Sequence, residues 1–330
     1  MTATSNTAAT STAAETMAAE TTAAATTAAA TTAAATTAAA NTGRDPSVAV
    51  LGIGIMGSAM ARNLLKAGLR TSVWDRSAAT TARLAESGAR AAASPQEAVR
   101  DADVVVTMLP TAEVVTSVML DGDVVGAFAR GATWAQMGTI GVEATDQLGS
   151  RVAKIRPDVL FVDAPVSGTK GPAETGQLLI LASGPETAEP ILRPAFAAMG
   201  RSAMWLGAAG QGSRMKLAIN AYLAALIEGV AEALTLAERL GVDPAKLGGV
   251  IEGGPLDAPL AGAKLHKMER GDFSPEFPLE WALKDVDLAL AAAGEDSLPS
   301  LAALSRTWHS AVKAGHGRED VSAAVLALSR

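Results

Sequence analysis

The chain has 330 residues, enough for two domains at roughly 100 to 200 residues each, and 49% of them are hydrophobic. A formal net charge of −7 excludes a general nucleic-acid surface, which is basic, and the absence of cysteine excludes disulfides and thiolate chemistry. The three histidines, His266, His309 and His316, are too few and too scattered for a histidine-based metal site, so no metal is expected.

No uninterrupted apolar run approaches the roughly 20 residues of a membrane span. Neither membrane nor nucleic acid is therefore an expected partner. Residues 1–46 form an expected disordered tail. Up to residue 43 it is nearly all Ala and Thr, with TTAAA repeated four times from Thr21 to Ala40. A period of five matches neither a helix face nor a strand, and so few large apolar residues cannot bury a core. The tail has neither the charged and apolar regions of a secretory signal nor the arginines of a mitochondrial transit peptide. A cytoplasmic protein is expected.

From Ser47 the signals alternate. SVAVLG reads as a buried strand, and Gly52-Ile53-Gly54-Ile55-Met56-Gly57 follows it and opens the helical SAMARNLLKAG. This is G-x-G-x-x-G between a strand and a helix, where glycines let the chain turn tightly and let a pyrophosphate approach a positive helix end. A second strand, Thr71 to Trp74, ends at Asp75, 23 positions beyond Gly52, where an acidic residue is expected to hold the adenosine ribose. Asp75 favours NAD. The neighbouring Arg76 and Ser77 suit a 2′-phosphate and favour NADP, so both cofactors stay open.

Helices are expected over Ala79–Glu86 and from Pro95 to Arg100. Ala102–Met108 reads as a buried strand ending at Leu109-Pro110, a rim for a cofactor cleft. Thr133–Met137 is a further strand, ending in Gly138-Thr139-Ile140, and Val159–Asp163 another. Strand-helix alternation of this kind gives a doubly wound parallel sheet that binds ligands at the carboxyl ends of its strands. Asp163 to Gly176 reads as one Gly/Pro-rich loop, in which the Ser167 hydroxyl and the amides of Gly168 and Thr169 suit a carboxylate. LLILAS and AMWL are two more strands and complete a first domain over residues 47–207.

The second domain, residues 208–330, is expected to be all α. Glycines at 207, 210 and 212 precede about 27 residues without Pro, up to Arg239. At 1.5 Å per residue this helix spans roughly 40 Å and joins the domains. Near its start Lys216 and Asn220 lie four residues apart, on one face. A Lys and an Asn at a domain junction are candidate active-site residues. Helices follow over Val242–Glu252, Lys264–Arg270, Leu279–Ala293 and Leu298–Lys313, with a short turn from Glu319. Read alone, Lys284-Asp285 also suits an exposed ion pair.

Four motifs, VLGIGIMGSAMARNLLKAG from Val50, DAPVSGTKGPAETGQL from Asp163, GQGSRMKLAIN from Gly210 and FPLEWALKDVDLAL from Phe277, occur in order, and on them the chain resembles the β-hydroxyacid dehydrogenase family. That family contains 3-hydroxyisobutyrate dehydrogenase. The likeness runs from about Ser47 to Arg330. Within the family, PVSGTKGPAETGQLLILASG looks most like the glyoxylate and succinic semialdehyde reductases. The resemblance implies a Rossmann-type first domain, a helical second domain and NAD(P)-dependent hydride transfer between nicotinamide and a small carboxylated aldehyde or hydroxy acid.

It further implies Lys216 as acid/base with Asn220 as its substrate-binding neighbour. It implies Ser167, Gly168 and Thr169 as the carboxylate site and Phe277 as a cover. Leu109, Pro110, Thr139 and Lys284 would line the cofactor, and a homodimer or homotetramer is implied. The chain departs from the family pattern at Thr169, where many members have Gly, at Gly138, where Ser is usual, and at Asp75, where the semialdehyde reductases often have Asn. Imine reductases share this architecture, but Lys216 argues against that activity. A non-catalytic dinucleotide-binding scaffold would bind cofactor without turnover.

Overall fold

The structure, a computed structural model, describes residues 44–328, and the expected Ala/Thr-rich tail lies outside them up to residue 43. The first half is built on β1 (Val48–Leu51), β2 (Thr71–Trp74), β3 (Arg90–Ala91), β4 (Val104–Thr107), β5 (Thr133–Gln136) and β6 (Leu160–Asp163). They form one parallel sheet in the order β3-β2-β1-β4-β5-β6. Strands β1, β4, β5 and β6 are buried at every position, which is why β1 and most of β4 and β6 read as apolar runs, while the polar Thr107, Thr133, Gln136 and Asp163 are buried at strand ends.

The crossovers carry α1 (Ile55–Lys66), α2 (Ala78–Ala85), α3 (Pro95–Val99), α4 (Ala112–Thr116) and α5 (Val142–Ile155). The strand order reverses between β1 and β4. Ligands bind at such a reversal, beyond the carboxyl ends of the strands. Those ends are the turn at Gly52, the Leu109-Pro110 segment and the Gly138-Thr139 segment.

A separate three-stranded sheet follows, of β7 (Val166–Ser167), β8 (Leu178–Ala182) and β9 (Gly200–Trp205), with β7 antiparallel to β8 and β9 parallel to it. This corrects the reading of Asp163 to Gly176 as one loop. Val166 and Ser167 pair with Ile180 and Leu179. Lys170–Glu174 forms the short helix α6, fastened by the Asn63 amide donating to the Ala173 carbonyl at 2.7 Å. Elements of two and five residues have no periodicity for a sequence to display. Helix α7 (Glu189–Met199), another element outside the sequence reading, runs on through Pro194.

The second half is helical: α8 (Gln211–Arg239), α9 (Pro244–Ile251), α10 (Pro259–Arg270), α11 (Leu279–Ala293) and α12 (Pro299–Lys313), then a 3-10 turn at Val321–Ala327. Among the described residues its only strand-like pairing is an isolated bridge between Pro278 and Asp320. Helix α8 is the spine, packed against α10, α11, α12 and the last turn. Its buried Leu217, Ile227 and Leu234 join Leu283, Val286 and Trp308 in one core. By length and composition α8 is long and apolar enough to cross a membrane, although polar residues interrupt its apolar runs. It also buries Ser213, Asn220 and Glu228. Such polar groups, hydrogen-bonded to other elements, are features of a core helix.

Candidate active site

The glycine turn is built for close approach. Gly52 has φ +94°, and a Cβ there would lie 2.5 Å from the Met108 carbonyl oxygen. A Cβ on Gly57 would strike the Gly52 carbonyl. Both positions therefore require glycine. Gly54 is different: a Cβ there meets nothing within 4 Å, so the space in front of α1 is open. Gly54 is the N-cap of α1 and makes no side-chain cap bond, and no acidic residue lies in the first turn. The leading N–H groups of α1, with Ile55 exposed and Met56 half-buried, thus face open space at the positive end of the helix.

Asp75 ties this turn to the end of β2. One carboxylate oxygen accepts the Ile53 N–H at 2.8 Å and the other accepts the Ser77 N–H at 2.9 Å. Arg76 and Ser77 are exposed just beyond. On the other side of the turn, Leu109 departs from expectation. It is 7% exposed and belongs to the core under the turn, which leaves the half-buried Pro110 at the rim. Gly138 fits closely against this segment, where a Cβ would strike the Leu109 carbonyl. The next residue, Thr139, is half-buried.

Thr139 connects the sheet to the helical half. Its carbonyl accepts from the Lys284 ammonium of α11, and the same ammonium donates to Asp285 at 2.6 Å. The other oxygen of Asp285 accepts from the Asn220 amide at 2.6 Å. Lys284-Asp285 is therefore no exposed pair: their side chains are 22% and 6% exposed. Asn220 is buried, and its Oδ1 has no partner among the described residues.

One turn before Asn220, Lys216 is half-buried, and among the described residues no hydrogen bond or ion pair to its ammonium is found. Burial pushes its pKa down to about 8, against the pull of Asp285 and with the help of Lys284. An amine so placed exchanges a proton near neutrality, which suits acid/base work. Contacts thus run from the glycine turn through Leu109, Gly138, Thr139 and Lys284 to Asp285, Asn220 and Lys216.

Asp163, at the end of β6, fixes where α8 starts. It is fully buried, and its carboxylate accepts the Ser213 N–H at 2.7 Å and the Ser213 hydroxyl at 2.8 Å, with Ser183 adding a hydroxyl at 3.2 Å. An anion at a helix N-terminus is favourable. Burial pushes this carboxyl's pKa up, and the Ser213 and Ser183 hydrogen bonds oppose that. Gly212 permits the junction, because a Cβ there would strike the Leu181 carbonyl. The chain leaves Asp163 directly into β7, which packs on α8 and ends at the half-buried Ser167, followed by Gly168 at φ +130° and Thr169.

Two family models match this architecture. One, described as the NAD-binding domain of 6-phosphogluconate dehydrogenase, covers residues 47–207, and one described as the NAD-binding region of NADP-dependent 3-hydroxyisobutyrate dehydrogenase covers 210–328. Glyoxylate/succinic semialdehyde reductase 1 of Arabidopsis thaliana is 34% identical over 284 residues, which cover 85% of this chain and 98% of that protein. The chain belongs to the β-hydroxyacid dehydrogenase family. The 3-sulfolactaldehyde reductase of Escherichia coli K12 is 36% identical over 291 residues, covering 84% of this chain and 94% of the relative. The crystal structure of 3-hydroxyisobutyrate dehydrogenase from Salmonella typhimurium superimposes with a TM-score of 0.79 at 28% identity, over 86% of this chain and 99% of that one.

Like the family, the chain is an NAD(P)-dependent oxidoreductase of the hydroxyacid dehydrogenase type. The open cradle at Gly54, capped by no side chain, fits a dinucleotide pyrophosphate. Phe277, the expected cover, is half-buried and packs against the helical core. Its N–H and that of Glu276 donate to the buried Asp320, at 3.1 and 3.0 Å, and Asp320 pairs with the buried ammonium of Lys264 at 2.9 Å.

Sequence reasoning gave no role to Asp163, Asp285, Lys264 or Asp320. For Asp285 the signal was its place beside Lys284, and for Asp163 its place at a strand end. Lys264 and Asp320 stand 56 residues apart, and nothing in their local sequence marks them.

Proposed function

We propose that the chain reduces a small carboxylated aldehyde to the hydroxy acid, or runs the reverse oxidation, with Lys216 as proton donor and acceptor. The observation that carries this reading is the half-buried Lys216 ammonium, for which no partner is found among the described residues, one helical turn from Asn220, whose Oδ1 likewise has none among them. A bound nicotinamide dinucleotide supplies or takes up the hydride. Gly52, Gly54, Ile55, Met56 and Gly57 would hold its pyrophosphate. Asp75, Arg76 and Ser77 would take the adenosine ribose, as NAD or NADP, and Pro110, Thr139 and Lys284, with the Leu109 backbone, the nicotinamide side.

In reduction, charge grows on the aldehyde oxygen as its carbon gains the hydride. Lys216 gives that oxygen a proton, is left as a neutral amine and recovers its proton from solvent. In oxidation the neutral amine takes the hydroxyl proton. Asn220, oriented by Asp285, accepts through Oδ1 from the lysine or the substrate hydroxyl. The Ser167 hydroxyl and the N–H groups of Gly168 and Thr169 bind the substrate carboxylate, and Phe277 closes the pocket.

The relatives' names support the substrate class, since succinic semialdehyde, glyoxylate and 3-sulfolactaldehyde are all small aldehydes that carry an acid group. Residues 47–207 act as the dinucleotide domain, and 208–330 as the substrate and association domain of a cytoplasmic homodimer or homotetramer that binds neither nucleic acid nor membrane. The test is purified protein with NADH or NADPH and a panel of glyoxylate, succinic semialdehyde, tartronate semialdehyde, methylmalonate semialdehyde and 3-sulfolactaldehyde, followed by absorbance. Reduced cofactor should be consumed with at least one of them. Tight cofactor binding with no consumption on any acid-bearing aldehyde would sink the reading.

A further inference from the structure

Three buried polar side chains lie end to end across β4 and β5, and the chemistry proposed above uses none of them. The Trp134 indole N–H donates to the Thr107 hydroxyl at 2.9 Å, and that hydroxyl donates to Gln136 Oε1 at 3.0 Å. All three residues are 0% exposed. The row continues into backbone. Gln136 Nε2 donates to the Gly138 carbonyl at 2.7 Å, and Oε1 also accepts the Gly138 N–H at 3.2 Å. One amide thus holds both polar groups of the residue two positions further along.

The polarity of this row is fixed. An indole N–H can only donate, so the Thr107 hydroxyl accepts from it and turns its own hydrogen to Gln136. Oε1 is thereby the acceptor end of the amide and Nε2 the donor end, the orientation that Gly138 also requires. A flipped amide would set donor against donor at Thr107 and at Gly138. Leaving buried donors unmatched costs more than a hydrogen bond contributes.

Gly138 needs such a hold. It is buried, and a Cβ there would lie 2.3 Å from the Leu109 carbonyl oxygen, so no side chain of its own can anchor the segment. Among the described residues its backbone has no hydrogen bond except those to Gln136. Gln136 itself stands in register between Thr107 of β4 and Asp163 of β6, and its backbone carbonyl accepts the Ala164 N–H at 2.8 Å. The clamp needs one donor and one acceptor on one plane at that reach, which among neutral side chains of this length only glutamine supplies.

We propose that Gln136 is a positioning residue for the reaction: its amide sets the Gly138 backbone, and through it the Thr139 carbonyl on which Lys284 docks. The proposal rests on the roles given above to Lys216 and Lys284. Lys284 is held by Thr139 on one side and by Asp285 on the other, and Asp285 holds Asn220. A carbonyl that drifts releases Lys284, and the row from Lys284 to Asn220 loses its fixed end. Burial lowers the Lys216 pKa, and both charges of that row act on it too, Asp285 raising it and Lys284 lowering it.

The test is a double-mutant cycle between Gln136→Met and Lys284→Met, read on dinucleotide Kd by fluorescence titration and on kcat for aldehyde reduction. Methionine keeps the length and the unbranched stem and removes both polar atoms. Each single variant should raise Kd and lower kcat by at least about fivefold, through misplacement. The double variant should be no worse than the poorer single one, because coupled residues lose the same contact. Thr107→Val removes buried hydrogen bonds from the same core without touching Gly138. It should lower Tm as much as Gln136→Met does and leave Kd and kcat within about twofold of wild type. Gln136→Glu at pH 6, where burial holds its carboxyl protonated, again offers one donor and one acceptor. It should return to within about threefold of wild type at that pH. Gln136→Asn keeps an amide on a stem one carbon too short, and it repeats the cycle should the methionine variant not fold.

Losses that multiply in the double variant overturn the clamp. So does Thr107→Val as impaired as Gln136→Met, or Gln136→Glu no better than Gln136→Met at pH 6. A wild type without turnover on any aldehyde overturns the reading of Lys216, and the Kd cycle still decides the clamp.

Discussion

At the residue scale, Lys216 works because of what surrounds it. Its ammonium is desolvated, pulled up by one carboxylate and pushed down by one neighbouring lysine, and it settles near pH 8. Lys216→Ala should lower kcat for aldehyde reduction by roughly 10²- to 10⁴-fold, the usual worth of a positioned acid, while cofactor affinity measured by fluorescence titration stays within about twofold. The glycines separate binding from folding. Gly57→Ala must displace the Gly52 carbonyl, so it should lower Tm and abolish cofactor binding together. Gly54→Ala meets no protein atom within 4 Å, so it should leave Tm unchanged and still raise the dinucleotide Kd, by occupying the cradle. Equal loss of Tm in both variants would remove the distinction.

At the scale of elements, the segment bearing Phe277 is held by a buried pair. Asp320 accepts the Glu276 and Phe277 N–H groups and pairs with Lys264, and the two side chains are 0% and 1% exposed. Asp320→Ala leaves a buried ammonium short of a partner and frees three backbone donors, those of Glu276, Phe277 and Ser322. It should cost about 3–5 kcal/mol in urea denaturation, the usual cost of breaking a buried pair. The double variant Lys264→Met/Asp320→Ala should recover part of that loss, because the stranded charge is gone. This pair also marks where sequence reasoning stops. The glycine turn, Asp75 and the Lys216–Asn220 spacing are local patterns and could be read directly. Lys264 could not, since its carboxylate lies 56 residues on and only the fold brings them together. The second sheet was hidden for a related reason: β7 has two residues, too few to alternate.

Across the whole molecule, function depends on two halves meeting. The sheet contributes the glycine turn, the Pro110 rim and Thr139, and the helical half contributes Lys216, Asn220 and the Lys284-Asp285 pair. The Lys284 bond to the Thr139 carbonyl is one direct polar link between them, and the Ser213 hydrogen bonds to Asp163 are another. Alternation of strands and helices made the outline of both halves legible. The Lys284 link was not, because Lys284-Asp285 reads equally well as a solvated pair until its burial is known. Lys284 also lowers the Lys216 pKa. Lys284→Met should therefore raise that pKa toward the ordinary lysine value and weaken kcat/KM as the halves loosen. The most direct test of Lys216 as the proton-transfer group is the pH dependence of kcat/KM in both directions. Reduction needs the ammonium, so it should fall as pH rises through about 8, and oxidation needs the neutral amine, so it should rise through the same value. Both inflections should move upward together in Lys284→Met. Profiles that stay flat between pH 6 and 10 in both directions, or that Lys284→Met leaves in place, would contradict it.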